Sequence, residues 1–440
     1  MSTFQLTLIG LFIFFLIFGV LVFSGILPGF RPPQGGQGGT VTLWGTFAAD
    51  DFDGAFESFR EAHKGEFTLN YEAKDARTLS AELVEALASG AGPDLVILPQ
   101  AELYAQLNKL LPLPYEAFPE RNFRDAFIRE AELYLGQDGI FALPTVVDPL
   151  VMFVNKDLLA AARLPQVPKT WADLQAVIKN LTIADAAGNL TQSAIALGHF
   201  QNVAHAKDIL AMLMMQAGNP IVAGSEAGLG PVLRQSLGFA PGAGSPTLEA
   251  LAFFGRFADP ANSLYSWNSA QPNSRDAFAR GQLAFYLGYA SEWPRLRQQN
   301  PQLNFDVAQV PQPAAPSGAA ASRTLTFGRL YGVSVLKGSS NPVTAWQVAG
   351  LLAGAEGTRT LSALTGLPAA RNDQLGALPR EPEKTVFNQA AIVSRGWWDP
   401  APAETERIFR QLIEQIQIRR VQPAAALEQA EREMSLLFKK

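Results

Sequence analysis

The 440-residue chain contains no cysteine. This absence excludes disulfide bonds, thiolate metal ligands and cysteine nucleophiles. Histidine is scarce too, and the three residues His63, His199 and His205 form no metal-ligand pattern. Phosphate-binding glycine loops and the G-x-S-x-G nucleophile motif are also missing. We therefore expect a protein that is not an enzyme and that needs no metal and no cofactor.

Charge of one sign is also lacking. The formal net charge is −5, and acidic and basic residues are scattered along the chain rather than grouped. Proteins that bind nucleic acid usually carry a basic patch or stripe, which neutralises phosphates. We therefore expect no nucleic-acid partner.

Residues 6–27, LTLIGLFIFFLIFGVLVFSGIL, form a long apolar run without a charged residue. A helix of that length can cross the hydrocarbon core of a bilayer. The tail at residues 1–5 carries no lysine or arginine, and no good cleavage site follows the run, which argues against a cleaved signal peptide. We predict one transmembrane anchor, then a flexible Gly/Pro-rich linker at 28–39.

From residue 40 onward, strand and helix patterns alternate. The stretches VTLWGTF, FTLNYEA and LVILP predict strands, and DG in YLGQDGIFALP predicts a hairpin turn. Helices are predicted at residues 50–63, 76–88, 101–109, 124–132, 203–217 and 247–258, with another beginning after Thr170 as N-cap and a largely helical C-terminal third. This alternation indicates an α/β fold built of βαβ units, with a mostly parallel sheet covered by helices on both faces.

The stretch LPTVVDPLVMFVNKDLL (143–159) places Asp148 and Pro149 inside an apolar run. A buried carboxylate costs free energy and proline lacks an N–H for a sheet ladder, so both argue against one continuous buried strand. We predict a crossing segment at 143–147 and a separate strand at 151–154. At the junction, Asp148 can meet water, a ligand hydroxyl or Arg329.

Eight stretches carry a family resemblance through their order and spacing: VTLWGTF, ELVEALASGAGPDLVILP, GIFALPTVVDPLVMFVNKDLL, PKTWADL, FARGQLAFYLGYASEW, NFDVAQVPQ, GRLYGVSVLKGSSNPVTAWQVAGLL and LTGLPAARND. Together they resemble the extracellular solute-binding proteins of bacterial ABC transporters, the family that includes maltose- and other sugar-binding proteins. The resemblance covers nearly all of residues 40–440.

This resemblance implies a two-lobe periplasmic-binding-protein-like type II fold, with ligand in the cleft between the lobes. By analogy, lobe 1 comprises 40–143 and 311–362, and lobe 2 comprises 144–310 and 363–440. The resemblance also implies a cell-membrane protein whose single span carries an extracytoplasmic binding domain, because such proteins work outside the cytoplasmic membrane.

A sugar site needs flat aromatic side chains against C–H faces and polar groups around the edges. Candidate residues are aromatic or polar and lie at strand ends and turns: Trp44, Asp148, His199, Phe200, Tyr289, Glu292, Trp293, Arg329, Tyr331, Trp397 and Trp398. Several have a packing alternative, and Arg329 could bind ligand or form an ion pair between the lobes. Because Arg329 is the only arginine among them, a neutral sugar is favoured.

We expect the protein to capture a mono- or oligosaccharide by hinge closure and to deliver it to an ABC transporter permease. Two alternatives remain open. One is a binding or sensor module of the same fold for a peptide, a polyamine or glycerol phosphate. The other is an anchored glycoside hydrolase, because glycosidase carboxylates have no fixed spacing in sequence.

Overall fold

The structure is a computed structural model that describes residues 39–225, 228–235, 245–314, 324–376 and 379–438. Within these ranges, no helix is both long enough and apolar enough to cross a bilayer. The predicted tail and anchor, and the predicted linker up to residue 38, lie outside the described residues.

The strands are β1 (Thr40–Gly45), β2 (Thr68–Ala73), β3 (Leu95–Pro99), β4 (Leu135–Gly136), β5 (Gly139–Ile140), β6 (Leu143–Asn155), β7 (Ile183–Ala184), β8 (Leu190–Ile195), β9 (Val222–Ser225), β10 (Gly228–Pro231), β11 (Leu283–Tyr289), β12 (Phe305–Ala308), β13 (Thr326–Val335) and β14 (Ser394–Arg395).

The helices are α1 (Ala49–Ala55), α2 (Glu57–Ala62), α3 (Leu79–Ala88), α4 (Gln100–Gln106), α5 (Glu120–Ala126), α6 (Lys156–Ala161), α7 (Trp171–Leu181), α8 (Ala206–Ala217), α9 (Pro246–Arg256), α10 (Ser274–Ala279), α11 (Trp293–Gln299), α12 (Pro342–Leu352), α13 (Ala355–Thr365), α14 (Asn372–Leu375), α15 (Pro382–Ile392), α16 (Pro402–Gln417) and α17 (Pro423–Leu437). Short 3-10 turns cover Leu107–Lys109, Arg129–Tyr134 and Ala290–Glu292.

One large sheet runs through the molecule in the order β2-β1-β3-β13-β6-β11-β8-β7, with β12 also on β6 and β14 also on β13. Parallel pairing joins β1 to β2 and β3 at one end and β8 to β11 near the other. The centre is antiparallel, because β13 pairs antiparallel with both β3 and β6, and β11 with β6. The prediction of a mostly parallel sheet is therefore wrong for the centre of the sheet. There β13 runs antiparallel to both of its neighbours, so no βαβ unit joins β13 to β3 or to β6.

Strand β6 is continuous from Leu143 to Asn155 and is buried along its whole length. The predicted break at Asp148 and Pro149 is therefore wrong as a break in the strand. What changes there is the partner, since the register pairs Gly328 of β13 with Pro149 and Tyr289 of β11 with Leu150. Thr326 Oγ1 donates a 2.7 Å hydrogen bond to the Leu150 carbonyl beside this change. Strand β6 thus belongs to both halves of the sheet.

Local signals in the sequence place several helix and strand ends correctly. The predicted N-cap at Thr170 is confirmed as a capping box, in which Thr170 Oγ1 accepts from the Asp173 amide and Asp173 accepts from the Thr170 amide. The predicted hairpin is confirmed as β4–β5. The single helix predicted at 50–63 is two helices that meet at Phe56, and the helix predicted at 124–132 is wrong, because α5 ends at Ala126.

Glu130 is a buried carboxyl group packed against two glycines. Its side chain is 2% exposed, and no described residue hydrogen-bonds to either oxygen. A Cβ atom at Gly328 or Gly396 would lie 2.4 or 2.9 Å from these oxygens, so only glycine allows β13 and the segment after β14 to approach this closely. Burial raises the pKa of Glu130 to about 8, against the opposing effect of Arg395. The carboxyl group is therefore mostly protonated at neutral pH.

We predict that Glu130→Gln flattens the pH dependence of stability. Between about pH 4.5 and pH 8 the unfolded chain loses a proton that the folded chain keeps, so Glu130 lowers the free energy of unfolding as pH rises. Glutamine has the same shape and cannot ionise. The difference in the free energy of unfolding between the variant and wild type should therefore be about 1–3 kcal/mol more favourable to the variant at pH 8 than at pH 5.

Urea unfolding followed by tryptophan fluorescence at both pH values measures this difference. The matched control is Glu57→Gln, which changes an exposed glutamate in α2. Parallel pH profiles for wild type and Glu130→Gln would mean that Glu130 is ionised in the folded protein, and the prediction would be wrong.

Candidate functional site

Five polar residues meet where β6 changes partner, and we call them the junction cluster: Asp148, Asp208, Tyr289, Ser291 and Arg329. Arg329 Nη2 lies 3.0 Å from Asp208 Oδ2, and the Tyr289 hydroxyl donates to the same oxygen at 2.6 Å. The Arg329 guanidinium lies 3.7 Å from the centre of the Tyr289 ring. Asp148 Oδ1 accepts a 3.0 Å hydrogen bond from the Ser291 amide. The cluster therefore joins β6, α8, β11 and β13.

The pKa values of the two carboxylates of the junction cluster are shifted in opposite directions. Burial raises the pKa of Asp148 to about 6, although the Ser291 hydrogen bond and Arg329 partly oppose the shift. Burial also disfavours the ionised form of Asp208, but Arg329, Lys207 and the Tyr289 hydroxyl outweigh it and lower the pKa of Asp208. Arg329 thus pairs with the acid on α8, although its position on β13 is opposite Asp148.

A second cluster surrounds Glu292, which we call the Glu292 cluster: His205, Arg275, Tyr286 and Glu292. Glu292 accepts from Arg275 Nε at 2.8 Å and from the Tyr286 hydroxyl at 2.6 Å, and it also bonds to His205 Nε2. Burial opposes ionisation of Glu292, but His205 and Arg275 lower its pKa to about 2. These partners hold an ionised carboxylate inside the protein, so the oxygens of Glu292 are already occupied.

The other predicted aromatic residues are distributed over several sites. Trp293 packs with Phe153, Phe305 and Phe387, and Trp397 stacks on Phe409. The remaining residues lie apart: Trp44 is buried under the Lys74 ammonium, Phe200 is buried near Arg410, His199 is half-buried, and Tyr331 is half-buried on β13 near Asp148 and Arg329. The role of these residues in ligand binding stays a prediction.

Trp398 contributes to a cavity of about 730 Å³, which we call the Trp398 cavity. One wall comes from residues 107–141, with Tyr115, Phe141 and Leu135, and the opposite wall from the β9–β10 hairpin, with Leu229. Glu120, Arg124 and Glu132 form a charged edge, in which Arg124 bonds to both glutamates. The cavity therefore combines aromatic surface with hydrogen-bonding groups.

A buried lysine anchors the segment that carries Trp398. Lys207 Nζ lies 2.6 Å from Asp399 Oδ2 and 2.9 Å from the Thr405 hydroxyl. Asp399 also accepts from the Thr405 hydroxyl and the Ala401 amide. This buried, fully bonded group fixes the WWDP turn to the start of α8.

A larger groove, of about 750 Å³, lies among α7, α8 and α9, with Trp171 and Phe253 in its walls. Its lining residues lie between Trp171 and Arg256, together with Pro313. In the described part of the chain, no group of three or more acidic or histidine side chains is arranged to hold a metal ion.

The sequence predicted four residues of these two clusters as site residues: Asp148, Tyr289, Glu292 and Arg329. It did not predict the hydrogen-bonding partners that the structure adds to them, which are Asp208, Arg275, Tyr286 and His205. One signal was available, since His205 and Asp208 are three residues apart at the start of a helix and must lie on one face. Arg275 and Tyr286 gave no such signal, because their contact with Glu292 depends on the packing of α10 against β11.

The sequence profile of the bacterial extracellular solute-binding proteins matches residues 54–377. A binding protein of Brucella abortus (strain 2308) is 24% identical over 305 residues, which cover 67% of each chain.

Solved structures match nearly the whole fold. A cyclo/maltodextrin-binding protein complexed with maltotetraose superposes with a TM-score of 0.73 at 14% identity, over 93% of this chain and 99% of that one. The sugar-binding protein MalE of Xanthomonas citri gives a TM-score of 0.70 at 18% identity, over 91% and 97%. At these identities the likeness establishes the two-lobe α/β fold. Together with the profile match, it identifies the chain as a member of the bacterial extracellular solute-binding proteins, which bind their solutes without transforming them.

Proposed function

We propose that the protein is a membrane-tethered receptor that captures a saccharide in the Trp398 cavity and delivers it to an ABC transporter permease. The observation that carries the proposal is the composition of this cavity, in which Trp398, Tyr115 and Phe141 lie beside Glu120, Arg124 and Glu132. Aromatic faces suit the C–H surface of a sugar ring, and charged side chains suit its hydroxyls. The volume of about 730 Å³ is in the range of small-molecule sites.

The proposed lobes follow the boundaries 40–143 with 311–362 and 144–310 with 363–440. On this division the Trp398 cavity lies between lobes, because Tyr115 and Phe141 come from the first, and Leu229 and Trp398 from the second. A ligand that contacts both walls favours the closed arrangement by the contacts it gains there. The similarity to a maltodextrin-binding protein complexed with maltotetraose supports a saccharide as the solute.

The junction cluster is the proposed hinge contact. Strand β6 passes from one half of the sheet to the other at this point, and the Arg329–Asp208 ion pair ties β13 to α8. An anchor at residues 6–27 and a linker at 28–39 would keep the receptor close to its permease at high effective concentration.

We predict that a saccharide raises the melting temperature of the full chain by a few degrees. A ligand that binds only the folded state at a hundred times its Kd adds about 2.7 kcal/mol to stability. A thermal-shift panel with maltose, maltotetraose, mannobiose, a dipeptide and spermidine tests this. Trp398→Ala should abolish the shift, because it removes the stacking face.

The matched control is Trp346→Ala, which removes a half-buried tryptophan from α12, a helix that does not line the Trp398 cavity. This variant should melt lower but keep the ligand-induced shift. No shift with any saccharide at millimolar concentration, or an unchanged shift in Trp398→Ala, would refute the saccharide proposal.

We predict that Asp208→Asn weakens lobe closure. The substitution keeps the side-chain shape but leaves the Arg329 charge without its ion-pair partner. Because Arg329 is 36% and Asp208 14% exposed, solvent screens part of the effect, and we expect a loss of about 1–2 kcal/mol. Small-angle scattering should give a larger radius of gyration in the presence of saccharide, and calorimetry a several-fold higher Kd.

Asp53→Asn is the control, since Asp53 forms an exposed ion pair with Arg60 near the α1–α2 break. It should change stability by less than about 0.5 kcal/mol and leave the radius of gyration unchanged. If Asp208→Asn also leaves both closure and affinity unchanged, the ion pair does not contribute to the hinge.

A further inference from the structure

Two arginines line a separate cavity of about 470 Å³, which we call the arginine cavity. Arg129 begins the 3-10 turn Arg129–Tyr134 and is exposed, and Arg395 lies on β14 and is half-buried. The other lining residues are Met215, Gly218, Asn219 and Pro220 at the end of α8, and Thr324, Leu325 and Gly396. On the proposed division, this cavity also lies between the lobes.

Neither guanidinium group is in direct contact with a carboxylate of the described residues. No ion pair forms between either arginine and a carboxylate of the described residues, and Arg395 Nη1 donates a 2.6 Å hydrogen bond to the Ser394 carbonyl. Burial and the positive charge of Arg129 lower the pKa of Arg395, and the opposing effects of Glu130 and Glu132 only partly offset them. Arginine remains protonated in proteins, so both charges persist.

The nearby acids do not neutralise this pair. Glu130 lies beside Arg395, but its burial keeps it mostly protonated at neutral pH. Glu132 is held by Arg124 at 2.5 Å. The arginine cavity is therefore positively charged, and two like charges at one cavity cost free energy unless an anion binds between them.

The remaining walls offer no competing cation site. The Asn219 amide already donates to the carbonyls of Val232, Leu233 and Gln235. The α8 carbonyls of Met214 and Met215 accept from the Asn219 and Gly218 amides. The two guanidinium groups and the exposed Thr324 are thus the side chains open to a ligand among the described residues of this cavity.

We propose that the arginine cavity binds an oxyanion, a carboxylate, phosphate or sulfate group. Resting on the function proposed above, the solute is then an acidic saccharide whose ring lies at Trp398 and whose anion lies at Arg395, three residues earlier on the same segment. The planar guanidinium suits this role, because it donates two parallel hydrogen bonds to an oxyanion. This proposal departs from the preference for a neutral sugar, which counted Arg329 as the only arginine among the candidate residues.

Calorimetry and thermal shift on the full chain test the proposal with matched pairs of probes. Glucuronate is compared with glucose, galacturonate with galactose, and glucose 6-phosphate with glucose, while inorganic phosphate and sulfate are tested alone. Acidic sugars should bind about tenfold or more tightly than their neutral partners. The advantage should shrink when sodium chloride rises from about 50 to about 500 mM, because salt screens charge.

Arg129→Gln and Arg395→Gln should each lower the affinity for acidic sugars to about the affinity for their neutral partners. Arg129 is exposed, so its variant should fold even if Arg395→Gln does not. The control is Arg256→Gln, an arginine in the groove among α7, α8 and α9, which should keep the full preference.

Four outcomes separate the two proposals. Arginine-dependent preference for acidic sugars supports both. Equal binding of acidic and neutral sugars, or a preference unchanged in Arg129→Gln, overturns the oxyanion site and leaves the saccharide function standing. Binding of phosphate or sulfate but of no sugar, either here or in the panel of maltose, maltotetraose and mannobiose, supports the oxyanion site, with a free anion as its ligand, and refutes the saccharide function. Binding of no probe in either panel overturns both.

Discussion

Strand β6 has to satisfy both halves of one sheet. Its first part pairs with β13, its second part with β11 and β12, and all its residues are buried. Such a strand leaves no room for an irregular backbone at the exchange of partners, because every buried N–H and C=O group needs a bond. Pro149 is tolerated at this exchange since it lacks an N–H, and the Thr326 hydroxyl supplies an extra donor to Leu150. Strand β6 therefore connects the two halves of the sheet.

The exchange of partners also explains the charged residues around it. A carboxylate buried without a partner would cost several kcal/mol, so each acid at the junction is bonded or protonated. Asp148 accepts from Ser291, Asp208 from Arg329 and Tyr289, and Glu292 from His205, Arg275 and Tyr286. Most of these bonds join different segments of the chain. These polar groups therefore hold the scaffold together, whereas the two arginines of the arginine cavity form no ion pair with a carboxylate of the described residues.

Much of the architecture is local in origin. Alternating apolar periods, the Thr170 capping box and the Asp138-Gly139 turn depend on residues close together in sequence, and these features lie where the sequence places them. The order of its motifs was sufficient to identify the family, which the profile match confirms. The helix predicted at 124–132 failed because Glu130 and Tyr134 turn inward to pack under β13, and burial there overrides the helical pattern.

The sequence by itself determined the α/β class and most helix and strand positions, because short-range periodicity and turn chemistry encode them. The family followed from the resemblance of its ordered motifs to solute-binding proteins. Only the tertiary structure decided that Asp148 and Glu292 are bonded inside the scaffold, that Arg329 pairs with Asp208, and that Trp398 alone of the predicted residues lines the Trp398 cavity. The meeting of Arg129 with Arg395 was likewise a tertiary result. These contacts join residues far apart in the chain, and their existence depends on how β6 and β13 bring the two halves of the sheet together.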